Sequence, residues 1–347
     1  MKKGNIQIGV NEVVEITFGT LLNKPSISFF NRICDDVEQV TRGDLFVAFN
    51  ANDINLAIER GAFGILFSED IAITDNEVAW ICVANIEQAI TKLLRHYLIV
   101  KSKILFLLSS DEYDIASCIL NQNKKIAYFN GGFVQLLQFV IETESAYVMY
   151  RYNGDFLLNE IEQEAKILDD TKIDDDKLPF SINSFSLFGI KIFYKSLDYS
   201  LQIPKLFIQP LSRIIKLADE YCFSVKLDNL NGISSFRPLY LDERGYISQP
   251  GTTNKVVLSC EDVKLYEQYL AYFSMYAKWA KLILFVPKIY HELYTPYADV
   301  ICYEDNDRLF DELIHQKYNF ALILGISSDM LEKRFTKEDK EISLFDL

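Results

Sequence analysis

Residues 36–65 read DVEQVTRGDLFVAFNANDINLAIERGAFGI. The centre of this stretch, residues 44–49, is a continuous β-rich run and predicts a buried strand. From 53 to 60 the apolar residues Ile54, Ala57 and Ile58 recur at helical spacing and share one face. Gly61 follows where a helix-terminating glycine belongs, and residues 64–67 turn apolar again. Strand, helix and strand in thirty residues predict an α/β sheet with parallel or mixed strands.

The alternation continues outward. Residues 78–83 predict a third strand and 86–98 an amphipathic helix, which closes a first unit at 1–100. In a second unit, 101–225, a strand at 103–108, a helix at 113–120 and a strand at 125–129 lead to the turn Asn130-Gly131-Gly132. A core strand at 147–150 follows, and a helix at 211–221 ends the unit. In the third unit, 226–347, strands at 256–259, 282–286, 299–302 and 320–324 alternate with helices at 262–280 and 308–315 and a last helix from Asp329. That pattern predicts a small Rossmann-like domain. No internal repeat or low-complexity tract interrupts it. The acidic residues Asp169-Asp170 and Asp174-Asp175-Asp176 read as a solvated linker, because no glycine-pivoted loop accompanies them as calcium binding requires.

Composition narrows the function classes. At 347 residues the chain is long enough for two or three cores. A net charge of −14 repels nucleic acid and anionic membranes, so neither is expected as a partner. The six cysteines form no C-x-x-C pair, which argues against a zinc or redox site. Apolar runs such as Ile104–Leu108 are far too short to span a bilayer, and the start of the chain lacks the apolar core of a signal peptide. A cytoplasmic location is expected.

The quoted stretch resembles the first domain of the Mur ligases, ATP-dependent enzymes that add amino acids to the peptidoglycan precursor. The family pattern is roughly D-S-R-x-V-x-P-G-D-L-F-V-A, then A-I-x-x-G-A. Matches here are Val40, Gly43, Asp44, Leu45, Phe46, Val47 and Ala48, then Ala57, Ile58, Gly61 and Ala62. Further matches keep the family's order. Residues 130–137 are similar to its N-x-N then G-x-P-L-T-L-L passage, and Leu324-Gly325-Ile326-Ser327-Ser328 followed by Met330-Leu331-Glu332 is similar to its closing L-x-K-G-S-x-x-x-x-M-E without the lysine. The order across the chain is most like the MurF type, which adds D-alanyl-D-alanine. The resemblance implies a three-domain α/β architecture with a P-loop central domain and a Rossmann-like C-terminal domain. The chain is shorter than family members, mainly in the central domain.

The same resemblance implies a missing engine. Such a ligase makes an acyl phosphate from a carboxylate and ATP. Backbone N–H groups must cradle the phosphates, a lysine must reach the β/γ-phosphates, and a hydroxyl must bind Mg²⁺. Where the family has T-G-x-x-G-K-T, this chain has Ser109-Ser110-Asp111-Glu112-Tyr113-Asp114, and G-K-[ST] occurs nowhere in it. Glu112 takes the second glycine's place, Tyr113 the lysine's and Asp114 the threonine's. At an effective dielectric of about 20, a carboxylate facing a phosphate repels it by roughly 4 kcal/mol. Tyr150 stands near the family's metal-binding glutamate. The family's metal-side histidine has no counterpart among His96, His291 and His315, which read as ordinary helix or loop residues. Asp36-Val37-Glu38 replaces the D-S-R of the nucleotide-sugar pocket, so a cation gives way to an anion. Gly325, Ser327 and Ser328, ahead of a helix, form a possible anion site.

The resemblance, together with these departures from it, implies a non-catalytic, degenerate Mur ligase-like protein that binds or scaffolds protein partners in peptidoglycan and cell-envelope synthesis. No catalytic residue, metal or cofactor is assigned. Two alternatives stay open: a divergent, active MurF-type ligase that uses ATP and Mg²⁺, and a small-molecule sensor. If 109–114 is an exposed loop, replacing Glu112, Tyr113 and Asp114 by alanine costs less than about 1 kcal/mol. Phe236 and Tyr240 are expected to pack at the junction before the third unit.

Overall fold

The computed structural model describes residues 7–152, 154, 161, 163–168 and 170–336. The chain forms two compact units. The first contains residues 1–171 and 217–225, the second 172–216 and 226–347.

In the first unit, a five-stranded sheet runs in the order Thr20–Leu21, Ala79–Cys82, Gly64–Phe67, Leu45–Val47, Ile33–Cys34. All but the first of these strands are parallel. A second, fully parallel sheet runs Ala165–Ile167, Ile104–Leu108, Tyr147–Arg151, Ile126–Phe129. A short antiparallel pair, Ile8–Gly9 with Phe29–Phe30, stands beside them.

The quoted stretch folds as its pattern predicts, and two glycines explain why. Gly43 (φ +101°) donates its N–H to the Gly61 carbonyl at 2.9 Å, and Gly61 (φ +97°) ends the helix Ile54–Glu59. A Cβ on Gly43 would lie 2.1 Å from Asn31 Nδ2, and one on Gly61 3.1 Å from the Arg42 Cα. The turn entering one strand and the turn leaving the helix therefore meet backbone to backbone. Asp44, 1 % exposed, locks that corner. Its Oδ2 accepts from Arg32 Nη2 at 2.7 Å, from the Thr41 N–H at 2.9 Å and from Thr41 Oγ1 at 3.1 Å.

The two larger sheets share one core. Leu93, Leu94, Tyr97 and Leu98 of helix Ile86–Val100 join Leu136, Leu137, Val140 and Ile141 of helix Phe133–Glu142 in a single buried cluster. Gln138 Oε1 also accepts from the Ile33 N–H at 2.9 Å. The two sheets of the first unit thus share a common apolar interior, and the chain passes from the first unit to the second between Val225 and Lys226.

The second unit joins an antiparallel meander to a Rossmann-like sheet. The meander is Ser181–Phe185, Ile190–Tyr194, Leu197–Leu201. The larger sheet runs Leu239–Leu241, Lys255–Cys260, Phe320–Leu324, Leu282–Pro287, Asp299–Tyr303, and only Leu239–Leu241 is antiparallel. Phe236 and Tyr240 pack against Phe188 beside the meander, each with ring centroids 6.1 Å apart. Tyr272 Oη reaches the Ser186 and Leu187 carbonyls at 3.3 Å. These contacts lie inside the second unit. No helix among the described residues is long and apolar enough to cross a membrane.

Candidate functional site

The residues aligned with the phosphate loop follow the strand Ile104–Leu108, and they do not form a loop. The helix begins at Ser110 and runs to Ile119, three residues earlier than its apolar periodicity predicts. The cause is a capping box. Ser109 Oγ accepts from the Glu112 N–H at 3.4 Å, and Glu112 Oε2 accepts from the Ser109 N–H at 2.9 Å. Glu112 is 5 % exposed. A carboxylate of the chain itself thus occupies the N-terminal end of the helix, where backbone N–H groups and the helix dipole favour an anion. Asp111 adds a second acid to the first turn.

The two following positions are engaged by a residue the sequence reading did not single out. Arg151, at the end of strand Tyr147–Arg151, forms an ion pair with Asp114, and its guanidinium sits 5.0 Å from the centre of the Tyr113 ring. Tyr113 also meets Tyr128 edge to face at 6.0 Å. Burial pushes the Tyr113 hydroxyl above its ordinary range, Arg151 opposing, so it is a neutral phenol. Parallel pairing of Tyr147–Arg151 with Ile104–Leu108 sets Arg151 opposite Leu108, just before the junction. That register joins residues 37 apart in sequence, which spacing alone does not reveal.

Tyr150, aligned with the metal-binding glutamate, is fully buried; its hydroxyl donates to the Gly131 carbonyl at 3.2 Å and its ring stacks on Phe129 at 6.1 Å. Among the described residues, no group of three or more His, Cys, Asp or Glu side chains could hold a metal ion. Asp169 lies outside the described residues. Of its acidic neighbours, Asp174 pairs with Lys177 at 2.9 Å and Asp175 with Lys205 at 3.9 Å.

The other candidates are held by local bonds too. Asp36 caps the short turn Val37–Gln39, accepting from the Glu38 N–H at 3.0 Å and Gln39 Nε2 at 2.8 Å. Glu38 forms an ion pair with Arg60, which also donates to the Glu38 carbonyl at 2.8 Å. These residues follow the strand Ile33–Cys34 of the five-stranded sheet, whereas the capping box follows the strand Ile104–Leu108 of the four-stranded one. In the second unit, Ser327 Oγ caps helix Ser328–Phe335 by accepting from the Met330 N–H at 3.3 Å. Gly325 donates its N–H to the Cys260 carbonyl at 2.8 Å, and Ser328 Oγ reaches the Ser259 carbonyl at 3.4 Å. His96 lies 3.5 Å from Glu12, His315 bonds the Asp311 carbonyl at 2.7 Å, and His291 opens the short helix His291–Tyr294.

No protein-family model and no curated protein matches the sequence. Solved structures do match the fold. MurF from Acinetobacter baumannii superposes with a TM-score of 0.67 over 95 % of this chain and 99 % of its own, at 11 % identity. A second structure from that organism, UDP-N-acetylmuramoylalanyl-D-glutamyl-2,6-diaminopimelate–D-alanyl-D-alanyl ligase, gives a TM-score of 0.62 over 96 % and 98 % at 11 % identity. MurF ligase from Thermotoga maritima, solved in complex with ADP, gives 0.58 over 88 % and 96 % at 11 % identity. Identity this low speaks to architecture alone, and the architecture is clear: the chain has a Mur ligase-like fold, of the MurF kind.

Proposed function

We propose that this protein is a non-catalytic Mur ligase-like protein that serves as a binding or scaffolding partner in peptidoglycan and cell-envelope synthesis. The observation that carries the reading is the junction at Ser109. The strand Ile104–Leu108 passes directly into a helix whose capping box engages the Glu112 N–H with Ser109 Oγ and the Ser109 N–H with the buried Glu112 carboxylate. A phosphate arriving there meets roughly 4 kcal/mol of repulsion per unit charge at about 4 Å, with the effective dielectric near 20. It also has to displace the cap. The lysine that would offset the phosphate charge is replaced by Tyr113, already packed against Arg151 and Tyr128. The place in envelope synthesis rests on likeness of fold.

Isothermal titration with Mg·ATP tests the first half, together with phosphate release in the presence of muramyl peptides. The expected result is no binding heat up to millimolar ATP and no release. Micromolar ATP affinity refutes the reading and restores the divergent ligase. A second MurF-type chain with an intact phosphate loop in the same genome is expected, because the ligation step still has to be carried out.

A further inference from the structure

The antiparallel meander of the second unit leaves one edge open. Ser181–Phe185 pairs with Ile190–Tyr194 on one side, and among the described residues no strand pairs with it on the other. An unpaired edge presents a row of N–H and C=O groups, a template for one more strand. Here the edge is set in a cleft of about 730 Å³ lined by all five residues of the strand. Asp175, Asp176, Leu178, Phe180 and Lys205 complete its walls. A volume of that size is in the range of small-ligand and peptide pockets.

The lining specifies the guest. Phe185 is 44 % exposed and offers an apolar face. Lys205 lies 5.1 Å from the centre of that ring and 3.9 Å from Asp175, so the one cation of the cleft is already engaged. Asp175, with 73 % of its side chain exposed, and Asp176 leave the cleft negative. The register shift between Ile182 and Ser184 interrupts the strand, so the pairing surface is short. A short segment suits a peptide better than the long edge of another sheet.

We propose that this edge is a strand-addition site for an extended peptide carrying basic residues, with an apolar side chain against Phe185 and a cation against Asp175 and Asp176. Main-chain bonds supply affinity and the acidic wall supplies selection. The site deepens the scaffolding role and rests on that reading for its biological sense, while the surface itself rests on the geometry above. Measurable ATP turnover would defeat the scaffolding reading and leave the peptide site standing, so the two can fail separately.

The test is amide hydrogen exchange on the full chain, read by mass spectrometry, with two blocked heptapeptides, Ac-TKVKVKT-amide and Ac-TEVEVET-amide. The lysine peptide is expected to slow exchange across 181–185 by about tenfold or more at saturation, while the glutamate peptide leaves it unchanged. The D175K/D176K variant is expected to reverse that preference. Phe185→Pro, which removes the N–H that alternation from the Ser186–Gly189 bond turns toward the open edge together with the apolar contact, is expected to abolish protection. If that variant does not fold, the charge-reversal pair at surface positions decides. Absent protection, protection confined to other strands, or equal protection by both peptides overturns the proposal. Protection of these amides that grows with protein concentration without peptide also overturns it, assigning the edge to a second copy of the chain.

Discussion

Glu112→Ala is the most informative single change. The substitution deletes the acceptor for the Ser109 N–H, whose bond at 2.9 Å is partly buried. An unsatisfied buried donor costs about 1–3 kcal/mol. Removing an acid from the first helical turn adds roughly 0.3–1 kcal/mol through the dipole. Alanine's better helix propensity returns about 0.5 kcal/mol. The net expectation is a loss of roughly 1–3.5 kcal/mol, above the sub-kilocalorie cost that suits an exposed loop. The two tryptophans separate the units: Trp80 is fully buried in the first and Trp279 is 73 % exposed in the second. Urea unfolding followed by Trp80 fluorescence in a Trp279→Phe background therefore reports on the correct unit. The midpoint should fall by about 0.5–2 M if the slope is near 1.5–2 kcal/mol/M. Glu112→Gln keeps an oxygen acceptor for the capping box and should lose less than about 1 kcal/mol. An alanine variant as stable as the parent within about 0.5 kcal/mol, given ordinary surface scatter, would refute the claim that this carboxylate closes the helix end.

Three further outcomes follow from other parts of the molecule. Gly43→Ala should destabilise the first unit by about 2 kcal/mol or more, since a Cβ there meets Asn31 and the positive φ is strained; the same urea titration reads it. Burial, with Asp36 adding to it, holds the Asp35 carboxyl above its usual pKa. A folded pKa above the unfolded value gives stability that is present at low pH and lost as pH rises through the folded pKa, so Asp35→Asn should stabilise at pH 7 and lose that advantage below about pH 3.5. Burial, with Asp262 adding to it, pushes the Cys260 thiol up to about 12. At pH 8 a disulfide reagent should label exposed Cys222 promptly and leave Cys260 and buried Cys34 unlabelled until denaturant is added; prompt labelling of Cys260 would contradict its burial.

Local chemistry in the sequence determined much of this protein. The continuous β-rich run at 44–49, the helical spacing of Ile54, Ala57 and Ile58, and the stop at Gly61 are written in nearest neighbours, and the structure forms those elements within a residue or two. The strand and helix alternation of 256–324 was legible too, because its strands and the helix Asn306–His315 bury apolar faces, although the helix expected to run to 280 stops at Tyr276. The capping box was present in the sequence as Ser109-x-x-Glu112, yet aligning the segment with a phosphate loop hid a local helix start. Only tertiary structure decided the rest. Arg151 reaches Asp114 and Tyr113 because parallel pairing sets two strand ends side by side. The first two sheets became one unit because two amphipathic helices, residues 86–100 and 133–142, bury their faces in a common core. Residues 172–216 joined the second unit through aromatic contacts such as Phe188 with Phe273 and Phe320, more than eighty residues away. Partners of that kind are chosen by apolar surface left over after local structure forms, and no local pattern records which surface will cover which.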